Sequence, residues 1–105
     1  MSEKEIYSLK FALQLALNHA EFVADTEDGG TSNMDMPTIQ LPGWSKKDIH
    51  KAFESTRLKP HIEGKTVFIL GACKGQGYRN TAMAEAFVQS LKEQGYTAHI
   101  YYKID

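Results

Sequence analysis

The sequence has little cysteine and no excess of charge of either sign. Cys73 is the only cysteine, which excludes an intramolecular disulfide and a cysteine-rich zinc site. Lysine and arginine number 12 against 13 aspartate and glutamate, so the formal net charge is −1. A dedicated binder of nucleic acid or of anionic membranes normally has a basic excess. The near-neutral composition therefore argues against both classes, although it does not exclude a nucleic-acid partner.

The chain also lacks a long apolar run, an internal repeat and a low-complexity tract. Its first residues, Met1 to Glu5, are acidic where a secretory signal is basic. We therefore expect a cytoplasmic protein with no membrane partner. At 105 residues, of which 42% are hydrophobic and 24% charged, the sequence has the size and composition of one globular domain. We expect that domain to span residues 1–105.

The first part of the chain predicts a long helix from Ser2 to about Ala24. Ser2 and Glu5 form a capping-box pattern at its start. Apolar residues then recur at helical spacing in two stripes on opposite sides. A helix of this kind is either sandwiched within its own domain or shared with another chain. We predict a homodimer or larger oligomer, in which the second stripe either lies partly in the contact or packs under another element of its own chain. The second stripe consists of Tyr7, Phe11, Leu15 and Phe22.

Helices and strands alternate after this helix. A short strand near residues 36–42 is flanked by prolines, which predicts an edge position because proline cannot donate to an inner ladder. A helix follows, and residues 66–70 are continuously apolar, as expected of a central strand covered on both faces. An alanine-rich helix near residues 81–94 and a final strand near 97–104 complete the pattern.

Together these segments predict an α+β fold. Strand, glycine-rich loop, helix and strand make a βαβ unit, in a sheet of three strands or of four if residues 61–63 also pair. About three helices, including the long N-terminal one, should pack on this sheet.

The loop GACKGQG at residues 71–77 lies between a buried strand and a helix start. It resembles the nucleotide-binding turn of short-chain dehydrogenases, Thr-Gly-x-x-x-Gly-x-Gly, with Leu70 where that family has threonine. Glycines let the backbone approach a phosphate, and free amides at a helix start favour an anion. The alternative is a turn that needs glycine for its backbone angles. The candidate ligand-binding residues are Lys74, Gly75, Gln76, Gly77 and Arg79.

A second resemblance covers more of the chain. A series of short motifs resembles a group of small bacterial proteins carried by phages, plasmids or gene cassettes. This resemblance implies a compact fold and no particular activity. The motifs are Asn33-x-Asp35-x-Pro37, Leu41-Pro42-x-Trp44, Gly75-Gln76-Gly77-x-Arg79-x-Thr81, Ala84-Glu85-Ala86, Gly95-Tyr96 and Tyr101-Tyr102-x-x-Asp105.

Two functions remain open from the sequence. The favoured one is a small accessory interaction module that acts as a homo-oligomer and binds a protein or a nucleic acid. The residues that would suit a base-stacking surface are the aromatic side chains in or beside the last strand together with two cations, namely Tyr96, Tyr101, Tyr102, Lys103 and Arg79. The alternative is an anion- or nucleotide-binding domain or small enzyme centred on the loop from Gly71 to Thr81, with Asp35 or Glu85 as an acid. No convergent set of acid, base and nucleophile is evident, so no catalytic residue, cofactor or metal ligand is predicted.

Overall fold

The computed structural model describes residues 2–24, 35–72 and 78–101. The side chains of residues 24 and 78–80 are outside this description. The described residues form three helices and four strands, which confirms the predicted α+β fold. In chain order the elements are α1 (Glu3–Ala24), β1 (Met36–Gln40), α2 (Lys46–Phe53), β2 (Lys59–Glu63), β3 (Thr66–Leu70), α3 (Tyr78–Glu93) and β4 (Ala98–Tyr101).

The four strands form one sheet in the order β2-β3-β1-β4, and every neighbouring pair is antiparallel. The segments β1–α2–β2 and β3–α3–β4 each join two strands that run in the same direction but are separated by a third. The predicted βαβ unit is therefore present in its split form. The order of elements after α1 is that of the ferredoxin-like topology. Residues 59–63 supply the fourth strand.

The position of β1 differs from the prediction. β1 lies inside the sheet between β3 and β4, so the expected edge position is wrong. Gln40 donates its N–H to the Thr97 carbonyl on the β4 side. Because backbone groups alternate along a strand, the nitrogen of Pro37 is on the β3 side. The β1–β3 ladder begins only at Thr38, so the missing N–H of Pro37 removes no bond from it.

The helices cover one face of the sheet. The side chains of Ile39, Val67 and Ile69 are buried in a core that all three helices share. Phe68 and Leu70 alternate with them along β3 and so point to the opposite face. The expectation that β3 is covered on both faces is therefore wrong for the part of the chain that the structure describes.

Helix α1 lies between α2 and α3. On one flank, Gln94, the residue just after α3, donates from Nε2 to the Ala12 carbonyl at 3.4 Å. On the other flank, Nη2 of Arg57, just after α2, donates to Oε1 of Glu21 at 2.8 Å. Along α1 the residues facing the core are fully or almost fully buried. They are Ile6, Leu9, Ala12, Leu13, Ala16, Leu17 and Ala20.

Candidate interaction surface

The glycine-rich loop lies mostly outside the described residues, so the predicted anion site stays a prediction. At the end of the loop the Thr81 hydroxyl donates to Oδ2 of buried Asp35 at 2.8 Å. This bond gives Asp35 a structural role at the start of α3, whereas Glu85 is exposed on the same helix. Of Arg79 only the backbone is described. The remaining candidate residues of this loop, all outside the described part, are Lys74, Gly75, Gln76 and Gly77.

The second stripe of α1 is exposed. Tyr7, Phe11 and Phe22 have 65%, 64% and 74% of their surface open to solvent, and Leu15 is half-buried. The prediction of two opposed apolar stripes is therefore confirmed, with one stripe in the core and the other at the surface. Single exposed apolar residues are common, but a row of large ones on one helix is typical of an interaction surface.

We define the outer face of α1 as the side of the helix opposite the core, from Tyr7 to Phe22. At about 100° per residue, positions 7, 8, 11, 14, 15, 18 and 22 share this side, and none of them carries a charge. The first turn of α1 is stabilised by two reciprocal hydrogen bonds. Ser2 Oγ accepts from the Glu5 N–H at 3.2 Å, and Glu5 Oε1 accepts from the Ser2 N–H at 3.4 Å. This is the predicted capping box.

A hollow of about 530 Å³ lies at the N-terminal end of the outer face, between α1 and the end of α3. Burial raises the pKa of the Tyr96 phenol, and the negative charge of Glu5 raises it further. Tyr96 lines one side of the hollow with its aromatic ring and hydroxyl. The residues around this hollow are Lys4, Tyr7, Ser8, Phe11, Gln94 and Tyr96.

A second hollow, of about 580 Å³, lies at the C-terminal end of the outer face, again between α1 and α3. Phe22 forms one side of it. Each end of α1 thus combines an exposed aromatic ring with a concave surface, a combination that suits insertion of a side chain from another molecule. The residues around the second hollow are Asn18, His19, Phe22, Val23, Ala86 and Gln89.

A different aromatic cluster lies on the sheet face that the helices leave open, and of its members the sequence pattern indicated only Tyr101. The rings of Phe68 and Tyr101 are 5.5 Å apart and nearly perpendicular, and the His61 ring is 5.9 Å from Phe68. Tyr101 is 50% exposed. The period-two alternation of Thr66, Phe68 and Leu70 is the signal in the sequence that places these side chains on one face.

The described residues contain no group of three or more histidine, cysteine, aspartate and glutamate side chains arranged to hold a metal ion. Within the same residues, none of the helices is both long enough and apolar enough to cross a bilayer.

Comparisons with models of known protein families, with curated proteins and with solved structures found no match to this chain. The two resemblances indicated by its motifs therefore remain hypotheses.

Proposed function

We propose that this chain is an interaction module that acts as a homodimer, with the outer face of α1 as the contact between the two copies. The observation that carries the proposal is the row formed by Tyr7, Phe11 and Phe22, three aromatic side chains that are each at least 64% exposed. The helix positions between Tyr7 and Phe22 on this side are uncharged, and a cation lies beside them at Lys10, whose Nζ is 5.8 Å from the centre of the Tyr7 ring. Aromatic residues are enriched and charged residues depleted at the centres of protein interfaces.

The area of this face supports a partner of protein size. A buried aromatic side chain contributes about 150–250 Å², so the exposed parts of these three rings supply roughly 400 Å². A standard interface takes about 800 Å² from each partner. The half-buried Leu15, the walls of the two hollows and the polar residues between them lie around the rings and can supply the rest.

The spacing along α1 favours a second copy of the same chain as the partner. Phe22 and Ser8 stand seven residues after and before Leu15, which corresponds to about 10 Å along the helix in each direction. An antiparallel pair with its two-fold axis near Leu15 would therefore set Phe22 of the partner subunit against Ser8, between Tyr7 and Phe11. Those three residues line the first hollow, so the face is complementary to itself, as a two-fold interface requires.

The test is the mass of the protein in solution. We expect sedimentation velocity to give a dimer that dissociates on dilution, with a Kd on the order of micromolar, as interfaces of this modest size often have. Phe11→Glu and Phe22→Glu should each give a monomer, because a carboxylate would be buried without a partner charge.

The matched control is His50→Glu, which adds the same charge at an exposed position of α2 and should leave the dimer unchanged. A wild-type protein that stays monomeric up to about 1 mM would contradict the proposal. A dimer with a Kd above about 1 mM would have a binding free energy of less than about 4 kcal/mol. A dimer that persists in both α1 variants would place the contact elsewhere.

A further inference from the structure

From the side chains on its open face we infer that the sheet is a stacking surface for the bases of a single-stranded nucleic acid. This inference goes beyond the proposed dimer and uses the opposite side of the molecule. We define the open sheet face as the side of the sheet away from the three helices. Its centre is the ring cluster of His61, Phe68 and Tyr101.

Strand pairing explains how the cluster forms. His61, Phe68, Thr38 and His99 are cross-strand partners in one row across all four strands. Tyr101 lies two residues beyond His99 on β4, and its ring contacts Phe68 although β1 runs between the two strands. Thr38 is small enough to lie under this contact, which accounts for its burial on a face without helices.

The cluster is continued by apolar side chains on the same face. Leu70, Met36 and Tyr101 occupy the next row, and Leu70 is 39% exposed. This row is adjacent to the row that contains Phe68, so the two rows together form a continuous apolar surface on which a base could lie flat. Exposed aromatic side chains on an open four-stranded sheet are a platform on which proteins stack the bases of single-stranded RNA. Stacking of this kind tolerates any base, because every base has a π-face.

The charges around the cluster decide between possible occupants. Lys59, His61 and His99 are exposed on this face, whereas Glu63, its one carboxylate among the described residues, lies 3.6 Å from the His61 ring. A second copy or another protein packed flat on this face would bury these polar groups at a cost. A nucleic-acid strand places its bases on the rings and leaves the rim in water, and its phosphates meet Lys59 and the imidazoles. That arrangement matches the apolar centre, formed by Phe68 and Tyr101, and the polar edge around it, where Lys59, Glu63 and the two imidazoles lie.

The near-neutral net charge sets the expected strength. With few cations available to contact phosphates, most of the affinity must come from stacking. The association constant should therefore fall only slowly with salt. In a plot of its logarithm against the logarithm of the salt concentration, the slope should lie between 0 and about −1. A steeper slope would indicate general phosphate binding and would overturn the inference.

The experiment uses fluorescein-labelled oligo(U) and oligo(dT) of about 12 nucleotides, within the usual size of such sites, and a duplex of equal length. We expect fluorescence anisotropy to show binding of both single strands at micromolar protein in about 50 mM salt, and at least tenfold weaker binding of the duplex. Phe68→Leu and Tyr101→Leu should each weaken single-strand binding by about 5- to 100-fold, because leucine keeps the apolar volume but has no π-face.

The matched control is Phe22→Leu, which removes an exposed ring from the helix side and should not change the affinity. Tyr101 is on an edge strand, so Tyr101→Leu keeps the test valid even if Phe68→Leu impairs folding. No binding at about 0.5 mM protein, equal binding of the duplex, or wild-type affinity in the Tyr101 variant would overturn the inference. The test does not depend on dimerisation, so the two proposals can fail separately.

Discussion

Gly71 is a residue whose backbone permits little substitution. Its φ is +92°, a left-handed conformation that L-residues rarely adopt. A Cβ at this position would also lie 3.0 Å from the Arg57 carbonyl oxygen. Gly71 therefore allows β3 to end closely against the turn after α2. This gives a structural reason for the first glycine of the loop, a reason that applies whether or not the loop binds an anion.

Gly71→Ala should destabilise the protein by about 2–3 kcal/mol. Roughly 1 kcal/mol comes from the left-handed conformation, and the remainder from displacing the Arg57 carbonyl. Gly95→Ala is the matched control, because Gly95 has a φ of +91° but a Cβ added there would meet no atom within 4 Å. The Gly95→Ala variant should lose about 1 kcal/mol of unfolding free energy. Urea unfolding of both variants measures the difference, and equal losses would show that the contact with Arg57 has no energetic weight.

At the scale of single elements, α1 has a buried apolar stripe on one side and an exposed one on the other. Its inner stripe fills the space between α2 and α3, and its outer face carries the exposed aromatics. Both stripes follow from apolar spacing in the sequence, and the start of the helix follows from Ser2 and Glu5. Local patterns of this kind report reliably on a helix because its side chains interact within one or two turns.

Substitutions of two leucines of α1 test the two stripes separately. Leu13 is fully buried, so Leu13→Ala should cost about 2–5 kcal/mol of unfolding free energy at any protein concentration. Leu15 is half-buried on the outer face, and Leu15→Ala should cost about 1 kcal/mol or less in dilute protein. At high concentration its cost should rise if the wild type dimerises through this face, because dimerisation would then stabilise the folded wild type. Thermal unfolding at low and high concentration tests this; a cost for Leu15→Ala that stays constant would contradict it.

The sheet was harder to predict than the helices. The position of β1 depends on which strands pair. Pro37, inside β1, gave a wrong indication because it precedes the part of β1 that pairs with β3. The apolar run of β3 looks the same whether one face or both are covered, since Phe68 and Leu70 are as apolar as Val67 and Ile69. Only the number and placement of the helices decide which strand face stays open, and these are long-range properties that no local pattern contains.

At the scale of the whole molecule, the two aromatic surfaces lie on opposite sides. The three helices share one core with the inward side chains of the sheet, so the outer face of α1 and the open sheet face point away from each other. A dimer formed through α1 would leave both sheets exposed at its two ends. Two stacking surfaces on one dimer would also increase the apparent affinity for a strand long enough to reach both.

The most direct test of the proposed dimer is a disulfide across its two-fold axis. With Cys73 replaced by serine, Leu15→Cys places one thiol per copy near the proposed axis. In an antiparallel pair the two Cα atoms at this position would lie close enough for a disulfide, which joins Cα atoms about 5–6 Å apart. We predict that mild oxidation gives a covalent dimer in high yield, whereas Lys47→Cys, on the exposed surface of α2, stays monomeric under the same conditions. A Leu15→Cys protein that stays monomeric, or equal cross-linking of both variants, would contradict the account.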